Sequence, residues 1–428
     1  MYSYLMTFER TNSQAIIIGG GIAGPVTAIA LQKAGIAATI YEAYDRASDG
    51  VGAFLTLAVN GLDALKTLEL DQRVRVAGFD TARFAMYTGS GRKLAEMRNG
   101  IALDNGTVSQ TIERAELYSA LRGEAVQRGI TIHYGKRLVE ATADGQKVVA
   151  SFADGSQACG ELLIGADGLR SVTRTLIDPG APPARYVGLL NAGGYASGVK
   201  LDAEPGVMHM VFGKRCFFGY VVHPDGDVWW FANPPQAEEL SRDRLAAISS
   251  EEWRTRLRQL FADDHSPAIT LIDATPEVFA GWNTYDLPSV PTWHRDRMII
   301  VGDAAHATSP ASGQGASMAI EDALVLARSL RDADDISSAF AAYEHERRHR
   351  VERVVAQGKR NGDQKAPGPM ARLLRDYVIL PVGLRFAERL ANSQRWMFDY
   401  HIEWDLNSGL EGVESLGQGG NGFDRAMD

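Results

Sequence analysis

Gly19, Gly21 and Gly24 are spaced G-x-G-x-x-G, and this spacing suits one kind of chemistry, the holding of a dinucleotide. The first glycine permits a tight turn, the second lets backbone approach a pyrophosphate, and the third lets a helix pack close to a sheet. Ile22 and Ala23, between the last two, start the helix whose free N–H groups would face the phosphates. Glu42 and Ala43 follow a second apolar run. A carboxylate there can accept a hydrogen bond from a ribose hydroxyl.

The elements that must position these residues are legible around them. Ala15 to Ile18 are apolar and mostly β-branched, as in a buried strand. Pro25 falls in the first helical turn, where a missing N–H costs little. Ile22, Val26, Ile29 and Ala30 keep a helical stripe, and Gly35 suits a C-cap. Ala38 to Tyr41 reads as the second strand. The unit binds ADP, a half that NAD and FAD share, so it does not choose between them.

Two later motifs bear on that choice. Gly302-Asp303 ends the strand-like run MIIV, and an Asp there can accept hydrogen bonds from a polyol such as a ribityl chain. Pro310 follows, then Gly313-Gln314-Gly315-Ala316 opens a helix whose N–H groups suit an electron-rich ring edge. Flavin has both a ribityl chain and such an edge. The third motif, Gly165-Ala166-Asp167-Gly168-Leu169-Arg170-Ser171, also follows a buried strand.

In this order the three motifs resemble the class A flavoprotein monooxygenases, the p-hydroxybenzoate hydroxylase-like family. The resemblance covers roughly residues 14–400. Within the family the look is nearest to FAD-dependent urate hydroxylases and tetracycline-inactivating monooxygenases. It implies that Gly19, Gly21, Gly24 and Glu42 hold the ADP half of FAD and that Arg114 contacts FAD. It also implies Asp303 at the ribityl and pyrophosphate region, Pro310 beside the reactive carbon, and Gly313 to Ala316 at the pyrimidine edge. Asp167, with Arg170, is linked in the family to FAD and NAD(P)H. Ser317 departs from the Asn that many relatives carry after GQGA, and Gly50-Val51-Gly52 only approximates the usual loop before the flavin. NADPH or NADH would be a transient reductant, since no second dinucleotide fingerprint follows. The implied reaction is hydroxylation of an aromatic or polycyclic small molecule by O2 through a flavin C4a-hydroperoxide. It would serve natural-product tailoring or antibiotic inactivation. Epoxidation and Baeyer–Villiger insertion share the scaffold. A reductase, a halogenase and a flavin-binding scaffold without activity are the other classes; the stretch WWFANPP lacks the halogenase W-x-W-x-I-P pattern.

The substrate wall is expected in the strand-rich middle, around VMHMVFGKRCFFGYVV and VWWF. Side chains alternate along a strand, so Cys216, Phe218 and Tyr220 share one face and Arg215 and Phe217 the other. Phe217, Phe218, Tyr220, Trp229 and Trp230 suit a flat apolar ligand, although ordinary sheet-core packing accounts for any one of them equally well. Arg215 aligns with a substrate-contacting arginine of the urate and tetracycline enzymes and is the expected polar contact. Arg215 and Tyr220 are the candidate catalytic residues, with Tyr195 and His209 as further candidate bases. His306 is expected to be structural. Glu321 and Asp322 are expected on a helix surface or bracing a loop, and Arg347, Arg348 and Arg350 on a solvated face.

Bulk composition narrows the partners. The 428 residues carry a net charge of −9 with no Lys/Arg-rich block, which argues against nucleic acid. Two cysteines make no disulfide scaffold, and nine histidines show no zinc spacing. No apolar run reaches the length of a bilayer span and the first residues are too polar for a signal sequence, so a cytoplasmic monomer or homodimer is expected, with residues 1–13 a loose leader. The expected fold is α/β, a Rossmann-like FAD-binding domain with an inserted strand-rich substrate domain and a helical C-terminal region. The FAD-binding parts are 14–80, 99–185 and 291–335. Substrate-domain strands fall at 81–98 and 186–290, C-terminal helices at 336–405 with a break at Pro381, and a flexible tail at 406–428.

Overall fold

The apolar run Gln14–Ile18 forms a strand with four consecutive buried residues, the pattern of a parallel sheet covered on both faces. In the computed structural model, which describes residues 14–44, 53–279, 281–365 and 394–405, this strand lies inside a six-stranded sheet. It pairs in parallel with Ala37–Tyr41 on one side and Leu162–Gly165 on the other. Thr131–His133 extends the first side, and Met298–Ile300 extends the second, both in parallel. His294–Arg295 closes the edge antiparallel. The helix Ala23–Lys33 packs against the helices Arg114–Gln127 and Gly315–Asp332. The leader, the Gly50–Gly52 loop, Pro381 and the tail lie outside the described residues.

A second sheet has seven strands in the order Trp282–Asp286, Arg185–Ala196, Val228–Asn233, Phe217–Val222, Val207–Phe212, Arg83–Thr88 and Lys93–Arg98. Only the pair Val207–Phe212 and Arg83–Thr88 is parallel. The turn Pro224 to Asp227 closes with the His223 N–H donating to Asp227 O at 2.8 Å, and Gly226 takes φ +100°, which favours glycine. One face of the sheet is backed by the helices Arg242–Ala247, Ser250–Phe261 and Ala268–Asp273, which bury Trp253, Leu257, Phe261 and Leu271 against it. The longest of these starts in a capping box: Ser249 Oγ accepts from Glu252 N, and the Glu252 carboxylate accepts from Ser249 N. The other face is lined by Met208, Val221 and Trp229 with Phe54, Phe79 and Phe231 packed on them. Phe54 belongs to the strand Phe54–Leu57, which pairs with Gln110–Glu113 just before Arg114.

The helix Ile336–Asp363 packs along Gly315–Asp332 and corrects two expectations. Glu321 and Asp322 are not on a surface; both are fully buried, with Arg347 fully buried beside them, and of the two expected placements it is the bracing of a loop that Asp322 fulfils, through Gly302 N and His306. Arg347 pairs with both acids, and Arg350 pairs with Glu321 at 2.8 Å. The physical reason lies far along the chain. Residues 394–405 cover the arginine face: Arg350 donates to the carbonyls of Trp396 and Met397, and the Tyr400 ring lies 4.1 Å from its guanidinium. Arg348 stays partly exposed, pairing with Glu344 and Glu352 over the Trp293 ring. Among the described residues no helix is long and apolar enough to cross a membrane.

Candidate cofactor and substrate site

The three glycines occupy the mouth of the six-stranded sheet, and each has a different reason to lack a side chain. Gly19 has φ +108°, and a Cβ there would collide with Ala166 O of the neighbouring turn. A Cβ on Gly24 would collide with Gly19 O, so this glycine sets the close approach of helix and strand. At Gly21 a Cβ would meet nothing within 4 Å. That open space in front of the helix N-terminus is the cradle a pyrophosphate needs. Ile22 caps the helix without a side-chain bond, and Ala23 begins it, so its first N–H groups remain for a ligand. Glu42 and Ala43 leave the second strand beside this mouth. The Glu42 carboxylate accepts from Gly20 N at 2.5 Å and Tyr44 N at 2.9 Å.

The other two motifs converge on the same edge. Gly302, at φ +61°, turns the chain into the short helix Asp303–His306. Arg114 lies within electrostatic reach of Asp303 and donates to Tyr118 Oη at 2.8 Å. Burial opposes the Arg114 charge, but Tyr118 and Asp303 outweigh it and raise its pKa. Pro310 starts a single 3-10 turn, Gly313 adopts the left-handed region with open space around its Cβ direction, and Gln314 caps the helix begun by Gly315 and Ala316. Gln314 Oε1 accepts from Asn60, while its buried amide nitrogen has no partner among the described residues. A free buried donor beside free helical N–H groups fits the electron-rich edge of a flavin. The residues present thus fit FAD. Ser317 is accounted for locally: its Oγ accepts from Ala58 N at 3.2 Å and backs onto Gly61, where a Cβ would come within 2.6 Å of it.

Asp167 is occupied within its own turn. It accepts from Ser171 Oγ at 2.5 Å and from the N–H and hydroxyl of Thr173 at 2.9 and 3.0 Å. Burial nevertheless raises its pKa. Sequence reasoning missed Arg174, which donates to Ala304 O at 2.9 Å and Leu169 O at 2.8 Å and so locks this turn to the one that carries Asp303. His306 is structural, its Nε2 held by buried Asp322.

The aromatic candidates divide between the two sheet faces. Phe218, Tyr220 and Trp230 point under the helices: Phe218 stacks on Trp230 at 5.4 Å, Trp230 donates to Thr275, and Tyr220 stacks on His209 at 4.5 Å. Burial lowers the His209 pKa to about 4 and raises that of Tyr220. Phe217 and Trp229 point the other way, with Phe54, Phe231 and Tyr195. The Tyr195 hydroxyl is buried without a partner among the described residues, and burial raises its pKa, so it is a hydrogen-bond donor rather than a base. Arg215 is not on this face. It lies in the turn before the strand, exposed, 2.5 Å from Asp263. A narrow crevice between the Asn233 end of this sheet face and the Pro310 turn is lined by residues that include Asn191, Asn233, Thr284, Ser309, Pro310 and Lys365. The two asparagines and Lys365 carry no motif, and alternation along the strands is the only signal that could have placed Asn191 and Asn233 there.

Comparison with known proteins agrees with this geometry. Residues 12–358 match the family described as FAD binding domain, and the chain belongs to that family. It is 32% identical over 359 residues to an aurachin C monooxygenase/isomerase of Stigmatella aurantiaca, covering 82% of this chain and 90% of that one. It is 30% identical to an FAD-dependent urate hydroxylase of Klebsiella pneumoniae, with the same two coverages. The crystal structure of Klebsiella pneumoniae HpxO with FAD and uric acid superposes with a TM-score of 0.79 at 27% identity, over 90% of this chain and 96% of that one. The chain is an FAD-dependent monooxygenase of the class A type.

Proposed function

We propose that this chain uses NADH or NADPH, FAD and O2 to hydroxylate an aromatic or polycyclic small molecule lying on the Phe217–Trp229 face of the seven-stranded sheet. The position of Lys365 carries the reading: it lies 4.3 Å from the Phe217 ring centre and also lines the crevice at Pro310, so this apolar face stands close to the loop expected at the flavin. Gly19, Gly21, Gly24 and Glu42 hold the ADP end. Arg114 and Asp303 hold the middle of the cofactor, and the N–H groups from Gly313 to Ala316 hold the ring edge. FAD bound by these residues would supply the redox chemistry, with reduction by NADH or NADPH and activation of O2. The chain orients the target ring on Phe217, Trp229 and Phe231 and keeps water from it. The Tyr195 hydroxyl offers a hydrogen bond to a polar group at the far end of the ring. Natural-product tailoring or antibiotic inactivation is the setting that suits such a substrate.

Stopped-flow re-oxidation tests the reading. The holoenzyme is reduced without oxygen, mixed with oxygenated buffer and followed by flavin absorbance. A transient species that is neither reduced nor oxidised flavin, longer-lived when an aromatic ligand is present, is expected. A direct return to oxidised flavin under all conditions overturns the reading in favour of a reductase.

A further inference from the structure

Lys365 lies just past the end of the Ile336–Asp363 helix and lines the narrow crevice described above. Its ammonium stands 4.3 Å from the Phe217 ring centre and 5.6 Å from that of Phe231. It donates to Asn233 Oδ1 at 2.7 Å. Asn233 is itself fixed, donating to Asn191 Oδ1 at 2.8 Å, and Asn191 donates to Thr284 Oγ1 at 2.6 Å. Ser309 and Pro310 line the same crevice.

Among the described residues the ammonium has no anion beside it. No carboxylate pairs with it among the described residues, and the titratable group within electrostatic reach is the Cys216 thiol, which burial keeps protonated. Burial also lowers the Lys365 pKa to about 8. An ammonium with one amide oxygen and two ring faces retains donor capacity. Such a charge, drawn from water without a counter-ion, is costly until an anion arrives.

We propose that Lys365 is the cationic anchor of the substrate, taking the ionised hydroxyl of an acidic hydroxyaromatic ring that lies along Phe217 and Phe231. This rests on the reading of that face as the substrate wall. The anchor selects phenols and enols over neutral arenes. Holding the oxygen as an anion also keeps the ring rich in electrons at the carbons ortho and para to it, where an electrophilic oxygen attacks.

The test titrates the FAD-loaded enzyme near neutral pH with 4-nitrophenolate, whose own absorbance reports its ionisation, and with nitrobenzene as its neutral counterpart. Wild type is expected to bind the phenolate in preference to nitrobenzene. Lys365→Met should weaken phenolate binding about 10- to 100-fold with little change for nitrobenzene, and Lys365→Arg should restore most of it. Unchanged nitrobenzene binding and flavin content show that the variant is folded. Equal phenolate binding by K365M and wild type overturns the proposal, as does the absence of any saturable phenolate signal with wild type. A K365M enzyme in which only the flavin's reduction potential moves also overturns it, by assigning the charge to the cofactor. None of these results touches the re-oxidation experiment, so the anchor can fail while the monooxygenase reading stands.

Discussion

Asp322 holds His306 through a 2.6 Å contact between Oδ2 and Nε2, and the same oxygen accepts from Gly302 N at 2.8 Å. One carboxylate therefore fixes both ends of the turn that presents Asp303. Its other oxygen takes Arg347 Nε at 2.8 Å. Burial alone would raise the Asp322 pKa, but His306 and Arg347 outweigh it and hold the group well below the usual carboxylate range.

The first prediction concerns this brace. Asp322→Asn leaves buried Arg347 with Glu321 alone and should cost roughly 3–5 kcal/mol of stability, read as a lower thermal midpoint, together with loss of flavin on gel filtration. A depressed folded pKa stabilises above the unfolded value of about 3.9 and loses that contribution as pH falls toward the folded value. Acid unfolding of wild type should accordingly steepen below about pH 4, and D322N should show a shallower acid limb. Equal midpoints and equal acid limbs would remove the brace.

The glycines should separate folding from binding. Gly24→Ala places a Cβ against Gly19 O and should unfold or strongly destabilise the chain. Gly21→Ala meets open space, so the protein should fold with a near-normal thermal midpoint as apoprotein while filling the pyrophosphate cradle. Titration with FAD should show a loss of about tenfold or more in affinity. Full flavin occupancy of G21A would move the cofactor away from this helix.

Asp303→Ala tests the middle of the cofactor. Among the described residues the side chain makes no brace for the fold comparable to Asp322, so far-UV dichroism should stay unchanged while FAD binds about 10- to 100-fold more weakly. Undiminished flavin content after dialysis would sink the assignment of Asp303.

Arg215→Ala should do little. Its partner Asp263 is 63% exposed, and such a pair contributes about 0–1 kcal/mol. Steady-state KM and kcat within about twofold of wild type are expected. A large rise in KM alone would bring Arg215 back to the substrate.

Local patterns in the chain were legible where the physics is local. The Gly19–Gly24 spacing, the apolar strand before it and the Gly313–Gly315 helix start each depend on neighbours a few residues away. The expectation of FAD as cofactor rests on them. The alternation of Phe217 against Phe218 also holds in the sheet. The expected shared face of Arg215 and Phe217 fails because alternation was carried two residues upstream of Phe217, into a turn where it no longer applies. Arg347 and Arg350 read as a solvated face because nothing near them in sequence shows that residues 394–405 will cover them. Lys365 was invisible for the same reason: its partners Asn233, Phe217 and Phe231 lie in strands far earlier in the chain.

The six-stranded sheet takes its strand Met298–Ile300 only after every strand of the seven-stranded sheet has been made. During synthesis on the ribosome the glycine turn emerges first and waits, with Asp303 and the Gly315–Asp332 helix still to come. A fragment cut anywhere before the last of these elements carries the glycine turn without Asp303 or the Gly315–Asp332 helix.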